Sequence, residues 1–223
     1  VLGTGASTLL LASALAYVLF QRSSVPSSDA SKAPPATTQA QEEEEAPLDR
    51  EKYPAGPLYI YYGTQTGTAE QFAKQLEREG SSNYGFYGHV LDLEDITDLK
   101  QLKSPCIFLT ATYGEGEPTD NAHSFVELLK EVSQMPVLFE AEEEKSELDS
   151  SQLEDVSVLE HLKSLQYIVF GLGNRQYDHY NAMGKFMFSS LHKCGAKRLL
   201  PEVGLGDDDD DLEGDFETWK DSK

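Results

Sequence analysis

From residue 57 onward, short apolar runs alternate with segments of helical periodicity, and this alternation constrains the fold more than any other feature. Strands are predicted at residues 57–62, 87–93, 105–111, 167–170 and 198–203. Helices are predicted at residues 69–79, 121–132 and 182–194. Near-continuous apolar strands separated by helices are typical of a parallel sheet covered on both faces. The sequence therefore predicts one α/β domain, residues 57–221, with a doubly wound parallel sheet.

Two polar segments flank or interrupt this pattern. Residues 23–56 are rich in Ser, Pro, Ala, Thr, Gln and Glu and have almost nothing bulky to bury, which predicts a disordered linker. Residues 135–157 are rich in Glu, Asp and Ser, and we interpret them as an acidic surface insertion without regular structure.

The N-terminal residues suggest a membrane anchor. Residues 2–20 contain no charged side chain and approach the about 20 residues that cross a bilayer as a helix. A cleaved signal peptide is the alternative, but the apolar run continues past the small residues 12–14, which favours an anchor at residues 1–22. Arg22 and Lys32 follow the span, and the positive-inside tendency then places the rest of the chain in the cytosol.

The charge balance argues against one class of partner. The chain has 39 acidic and 18 basic residues and a formal net charge of -21. Such a protein repels the phosphate backbone of nucleic acids, so we expect no nucleic-acid partner. Cys106 and Cys194 stand in no spacing typical of a disulfide framework or a zinc site, and no metal is expected.

The loop after the first predicted strand has the composition of a phosphate site. Residues 63–69 are Gly, Thr and Gln with one Ala, and they lie between a strand and a helix. Hydroxyls and backbone N–H groups at a helix N-terminus can bind an anion. The loop has no lysine, so it is not a Walker loop. A plain turn in which Thr caps the helix is an equally weighted alternative.

Two further loops follow predicted strands and carry an aromatic side chain among glycines. Tyr113 follows the strand at 105–111, and Tyr177 follows the strand at 167–170. In an open α/β sheet, ligands bind beyond the carboxyl ends of the strands. Singly, each tyrosine could be an ordinary half-buried ring. Together with the phosphate loop, the two rings predict a planar heteroaromatic ligand that carries one phosphate.

Four segments, in this order and spacing, resemble the FMN domain of the diflavin reductases. They are Thr64-Gln65-Thr66-Gly67-Thr68-Ala69, Ala111-Thr112-Tyr113-Gly114-Glu115-Gly116, Phe170-Gly171-Leu172-Gly173-Asn174 and Gly204-Leu205-Gly206-Asp207-Asp208-Asp209. The resemblance spans residues 58–219 and is greatest for the members that serve cytochromes P450. It implies a flavodoxin-like sheet of five parallel strands in the order 2-1-3-4-5.

The resemblance also implies a function. In this family electrons pass from NADPH through FAD and FMN to cytochromes P450 or other haem proteins, and an anchor holds the flavin domains on the cytosolic side of the endoplasmic reticulum membrane. No segment for FAD or NADPH follows Trp219, so this chain would be the FMN electron-transfer part of a longer enzyme. No catalytic acid, base or nucleophile is expected, because the cofactor carries the electrons.

The resemblance assigns residues to parts of the cofactor. The FMN phosphate would be held by Thr64, Gln65, Thr66, Gly67, Thr68 and Ala69. The two faces of the isoalloxazine ring would contact Tyr113 and Tyr177. The rest of the cofactor would be lined by Ala111, Thr112, Gly114, Leu172, Gly173, Asn174, His179, Asn181 and Asp208, with a structural hydrogen bond as the favoured role of His179. Thr64 replaces the Ser that the family often has, and the insertion at 142–155 is longer than expected.

The acidic stretch near the C-terminus has two interpretations. It contains Asp207, Asp209, Asp210, Asp211, Glu213 and Asp215. One interpretation is a solvated loop whose carboxylates favour the N-terminus of the next helix. The other, which we prefer, is a docking surface for a basic-faced haem protein, since steering would compensate for the repulsion among the carboxylates.

Two other functions stay open from the sequence. One is a stand-alone, membrane-tethered, flavodoxin-like carrier that receives electrons from a separate reductase. The other is a flavin-free interaction domain, which would require Tyr113 and Tyr177 to be surface aromatics without a ligand.

Overall fold

A computed structural model describes residues 48–135 and 150–221 of the chain. Within these residues there are seven strands: β1 (Gly56–Gly63), β2 (Phe86–Asp92), β3 (Cys106–Tyr113), β4 (Glu117–Pro118), β5 (Gln166–Gly173), β6 (Lys197–Arg198) and β7 (Gly204–Asp207). The same residues form five α-helices: α1 (Thr68–Tyr84), α2 (His123–Gln134), α3 (Ser150–Lys163), α4 (Ala182–Lys193) and α5 (Leu212–Lys220).

The strands form one sheet in the order β2-β1-β3-β5-β6. β1 pairs in parallel with β2 and β3, and β5 pairs in parallel with β3, β6 and β7. The two-residue strand β4 pairs antiparallel with the end of β3. Because the long strands are parallel, the carboxyl ends of β1, β3, β5 and β7 lie at one edge of the sheet, where a ligand is expected.

The predicted α/β fold with a parallel sheet is confirmed, but the predicted five strands are seven strands in the described residues. The last strand, predicted at 198–203, is divided into β6 and β7. Residues 199–203 between them form a bend that contains Pro201, which has no N–H to donate to a strand ladder. The strand β4 arises because the loop after β3 turns back and pairs with Thr112 and Tyr113.

Apolar side chains pack on both faces of the sheet. On β1, Tyr61 belongs to one core and Ile60 to the other, since successive strand side chains point to opposite faces. The first core includes Phe125 of α2. The second includes Phe72 of α1 and Phe216 of α5, whose rings stack with centroids 4.1 Å apart. Burial on both sides explains why the strand sequences are apolar at nearly every position.

Helix α1 follows β1 and packs on the second core. Its buried residues Ala69, Phe72, Ala73, Leu76 and Gly80 recur at spacings of three and four. The helix extends beyond the predicted residue 79 to Tyr84, where Gly85 in a left-handed conformation ends it. This packing fixes the N-terminus of α1 at the carboxyl end of β1.

The interpretation of residues 135–157 as an insertion without regular structure is wrong for residues 150–157, which begin α3. Val156 and Leu162 of this helix are buried, so the helix packs on the domain through apolar residues that the acidic composition had masked. Residues 136–149 lie outside the described residues.

The predicted linker boundary at residue 56 also needs correction, because ordered contacts begin before it. Ala55 is buried, and its N–H donates to the Gly85 carbonyl at 3.1 Å. The rings of Tyr53 and Tyr87 lie 5.0 Å apart. Residues 1–47, which include the predicted anchor, lie outside the described residues. In residues 48–135 and 150–221 no helix has the length and apolar character to cross a membrane.

Candidate functional site

A cavity of about 500 Å³ opens at the carboxyl edge of the sheet. The structure brings to it every residue assigned to the cofactor except Gly67. These residues are Thr64, Gln65, Thr66, Thr68, Ala69, Ala111, Thr112, Tyr113, Gly114, Leu172, Gly173, Asn174, Tyr177, His179, Asn181 and Asp208. Glu115, Tyr180 and Leu212 complete the lining and were not predicted. Glu115 and Tyr180 lie within the predicted loops, whereas no local signal marks Leu212.

The loop 64–67 joins β1 to α1 at one end of this cavity. Gly67 has a φ of +94°, a left-handed conformation that favours glycine, and its N–H donates to Thr64 Oγ1 at 3.0 Å. No side chain caps the N-terminus of α1, so the alternative in which Thr caps the helix is wrong. The first N–H groups of a helix have no partner within the helix, and here they can bind an anion.

The two predicted aromatic rings are the most exposed large apolar groups of the cavity. Tyr113 is 52% exposed at the end of β3, and Tyr177 is 65% exposed in the loop after β5. The two loops meet at Gly116 and His179, since a Cβ at Gly116 would lie 2.9 Å from the His179 Cβ. A planar ligand between the loops would bury both rings.

The loop that carries Tyr177 is held by Asp207 at the end of β7. Asp207 Oδ1 accepts hydrogen bonds from the N–H groups of Arg175 at 2.9 Å and Asp209 at 3.2 Å. Asp207 Oδ2 lies 3.3 Å from Arg175 Nε. The Arg175 guanidinium carbon also lies 5.4 Å from the centroid of the Tyr180 ring. Asp207 therefore orders this loop from within the protein.

These contacts correct part of the predicted docking surface. Asp207 has a side chain only 5% exposed, and Asp215 Oδ2 accepts the Asp207 N–H at 2.9 Å. Asp211 Oδ1 accepts the Gly214 N–H at 2.9 Å and caps α5. Asp207 and Asp215 are thus internal hydrogen-bonding groups. The acidic side chains that stay exposed are those of Asp208, Asp209, Asp210, Asp211 and Glu213.

Asn181 shapes the cavity because it lies close to the backbone of β5 and β7. It is fully buried with a φ of +54°, and its Nδ2 donates to the Gly206 carbonyl at 2.9 Å. A Cβ at Gly171 would lie 2.6 Å from Asn181 Oδ1, and one at Gly173 would lie 2.8 Å from the Asn181 nitrogen. The glycines on β5 are therefore required for the close approach of Asn181, which joins the start of α4 to β5 and β7.

Comparison with known proteins gives a consistent result. The sequence profile described as Flavodoxin matches residues 60–219. NADPH–cytochrome P450 reductase of Cavia porcellus is 38% identical over 190 residues, covering 82% of this chain and 24% of the relative. The reductases of the same name from Homo sapiens and Musca domestica are 40% and 42% identical over 169 and 170 residues, covering 73% and 74% of this chain and 21% of each relative. The chain thus spans about a quarter of the length of these curated relatives.

A solved structure supports the fold. A flavodoxin from Pseudomonas aeruginosa superposes with a TM-score of 0.50 at 22% identity, covering 74% of this chain and 93% of that protein. The predicted resemblance to diflavin reductases is confirmed by the identities above. Because the profile matches most of the sequence, the chain belongs to the flavodoxin family.

Proposed function

We propose that this chain is the FMN-binding electron-transfer domain of an NADPH–haemoprotein reductase. One observation carries the proposal: two exposed tyrosine rings and an uncapped helix N-terminus face the same cavity. The rings suit a planar heterocycle, and the helix N-terminus suits a terminal phosphate.

The residues of the cavity fit FMN in each of its parts. The hydroxyls of Thr64, Thr66 and Thr68 and the first N–H groups of α1 would hold the phosphate. Tyr113 and Tyr177 would contact the flavin ring and limit its access to water. When bound, the flavin supplies the electron-carrying chemistry, so the protein has only to hold, orient and expose it. The acidic surroundings would disfavour added negative charge on the cofactor.

The partners and location are part of the same proposal. The FAD and NADPH module would belong to the same polypeptide, as the partial coverage of the relatives suggests. The haem partner would be a cytochrome P450, as the names of the relatives indicate, or another basic-faced haem protein. Residues 1–22 would anchor the chain in the endoplasmic reticulum membrane with the flavin domain in the cytosol.

The cofactor is tested by flavin extraction and titration. The full chain, reconstituted separately with FMN and FAD, should retain FMN at one per chain and bind FAD much more weakly, because the loop 64–67 suits a terminal monophosphate. Heat-released flavin is identified by chromatography. An FAD-only extract would contradict the assignment, and a chain that retains no flavin would favour the interaction-domain alternative.

The docking surface is tested by salt dependence. Asp210→Asn and Glu213→Gln together should lower the association rate with a basic haem protein such as cytochrome c and flatten its dependence on ionic strength, because both side chains are exposed. Asp208 is kept, since it lines the cavity. Stopped-flow reduction across a salt series measures the rate, and equal salt slopes would exclude docking through these two residues.

A further inference from the structure

Residues 119–121, which follow β4, form hydrogen bonds with the loop 64–67. Asn121 Oδ1 accepts hydrogen bonds from the Thr64 N–H at 2.9 Å and the Thr119 hydroxyl at 2.8 Å. Asn121 Nδ2 donates to Asp92 Oδ1, at the end of β2, at 2.8 Å. Thr119, Asn121 and Asp92 lie outside the cavity lining. Asn121 connects them to the cavity lining through its hydrogen bond with Thr64.

The chemistry of these groups fixes the orientation of the Asn121 amide. A carboxylate only accepts hydrogen bonds, so Nδ2 must face Asp92 and Oδ1 must face the Thr64 N–H. Asp92 Oδ1 also accepts the Glu94 N–H at 2.9 Å.

Close packing also restricts the movement of residues 119–122 relative to the loop 64–67. Thr119 is fully buried. A Cβ at Gly63, the last residue of β1, would lie 2.8 Å from the Ala122 Cβ. The residue before the loop and the turn at 119–122 are thus in direct contact. Gln65 makes a further link, since its Nε2 donates to Asp120 Oδ2 at 2.9 Å and its Oε1 accepts the Asp120 N–H at 3.2 Å.

We propose that Asn121 is a positioning residue for phosphate recognition. It fixes Thr64, and so presets the hydroxyls and N–H groups of the loop for the phosphate of the flavin before the flavin binds. This inference rests on the proposed FMN function and deepens it. Asn121 therefore contributes to the preference for FMN over riboflavin, which has the same ring and ribityl chain but no phosphate.

The test compares the two flavins on the same variant. In the full chain, Asn121→Ala leaves the Thr64 N–H without its acceptor, so the Kd for FMN should rise about tenfold. The Kd for riboflavin should stay within about twofold, since riboflavin does not use the preset phosphate contacts. Quenching of flavin fluorescence on binding measures both constants.

Three further variants show whether the effect runs through the proposed contacts. Asn83→Ala removes an exposed asparagine whose side chain contacts the neighbouring Ser82 and should leave both constants unchanged. Asp92→Ala should act like Asn121→Ala, whereas Asp92→Asn keeps an acceptor oxygen and should retain most of the FMN affinity. Thr119→Val removes a single donor to Asn121 with little change of shape. It serves as the second test if Asn121→Ala does not fold.

Amide hydrogen exchange gives a measure that needs no flavin. Exchange at the Thr64 amide in the apo chain should be faster in Asn121→Ala than in the wild type, because that amide loses its acceptor. Unchanged exchange would overturn the inference, as would an equal loss of affinity for FMN and riboflavin or unchanged FMN affinity. A wild-type chain that binds neither flavin would overturn the proposed function itself and, with it, this inference.

Discussion

Helices α1 and α5 both begin at the carboxyl edge of the sheet, but their N-termini differ. Helix α5 is capped by Asp211 and has Glu213 and Asp215 in its first turn. Helix α1 has no side-chain cap, and the one carboxylate of its first turn, Glu70, is paired with Lys74 at 2.5 Å. The terminus of α5 is thus satisfied by the protein itself, whereas that of α1 is open to the cavity.

The two helix termini therefore have different roles: the N-terminus of α5 stabilises the fold, and the N-terminus of α1 is available to bind a ligand. The N-terminus of a helix carries a partial positive charge that carboxylates stabilise. At α5 the protein uses that charge internally, and Asp211 Oδ1 accepts the Gly214 N–H of the first turn. At α1 it leaves the charge and the N–H groups for a ligand, so the apo protein forgoes the stabilisation that a cap provides. Binding of an anion restores it.

The largest effect is expected when a second carboxylate is placed in the first turn of α1, since α5 has two there. Thr68→Asp places an acid at the first residue of α1, where it repels the phosphate, and should raise the Kd for FMN by about 100-fold or more. The apo chain should become more stable by about 0.5 kcal/mol, because the acid lies at a helix N-terminus. FMN titration and urea unfolding of the apo chain measure the two effects.

A matched uncharged variant separates charge from shape. Thr68→Asn has nearly the size of the Asp variant without its charge, and it should lose much less affinity. If both variants lose the same affinity, the hydroxyl of Thr68 rather than the open helix terminus determines binding. If neither loses affinity, the phosphate does not bind at this terminus.

A smaller effect is expected from Asp207, which holds the loop of Tyr177. Asp207→Ala leaves the N–H groups of Arg175 and Asp209 without their acceptor. We expect the Kd for FMN to rise about tenfold and the free energy of unfolding to fall by about 1–3 kcal/mol. Asp210→Ala, at an exposed neighbour in the same acidic stretch, is the control and should change neither quantity. Equal effects of the two substitutions would contradict an internal role for Asp207.

The cap of α5 should affect stability alone. Asp211→Ala removes the acceptor of the Gly214 N–H and should lower the free energy of unfolding by about 1 kcal/mol. Asp211→Asn, an equally good cap, should restore most of it. The Kd for FMN should change by less than about twofold, because Asp211 caps α5 without lining the cavity. A large loss of FMN affinity in Asp211→Ala would show that the two helix termini are not independent.

The sequence predicted the ligand site at the N-terminus of α1 better than the carboxylate contacts near the N-terminus of α5, and the reason is physical. The phosphate loop and both tyrosines follow strands directly, so their position at one edge comes from the parallel topology. The acidic stretch looks uniform in sequence, and its division into buried and exposed carboxylates depends on pairing between β5 and β7, where Gly173 lies opposite Asp207. Such pairing joins residues far apart in the chain, and local patterns do not contain it.

Two other differences between the sequence predictions and the structure have the same origin. Val156 in α3 has mostly polar neighbours in the sequence, and its burial, like that of Ala55 before β1, depends on the surface that the residue meets in the fold. The contact of Asn121 with Thr64 spans 57 residues, and only the fold brings the two together. Motifs that act through their own backbone were therefore predictable, and side chains that act through a distant segment were not.

The smallest effect is expected from Lys220, which forms ion pairs with α1 and within α5, away from the N-termini of both helices. Lys220 Nζ lies 2.7 Å from Glu79 Oε2 of α1 and 2.6 Å from Glu217 Oε2 of α5. The hydrogen bond from Lys220 and, to a smaller extent, one from Gln75 lower the pKa of Glu217. A carboxyl group whose pKa is lower in the folded state stabilises the fold at pH values above its pKa in the unfolded state, here 4.5. This contribution is lost as the pH falls through the pKa of the folded state.

Lys220→Met removes the charge and keeps an apolar stem, so it tests this connection between α1 and α5. At neutral pH the free energy of unfolding should fall by only about 0.5–1 kcal/mol, since Glu217 is about half exposed and solvent screens the pair. The difference from wild type should shrink as the pH falls below 4.5, because protonation of Glu217 removes the same interaction. Urea unfolding across a pH series measures it, with Lys74→Met at the exposed pair on α1 as the control. A difference that does not change with pH would mean that Lys220 acts through packing on Phe216, whose ring centroid lies 5.8 Å from Nζ, rather than through its charge.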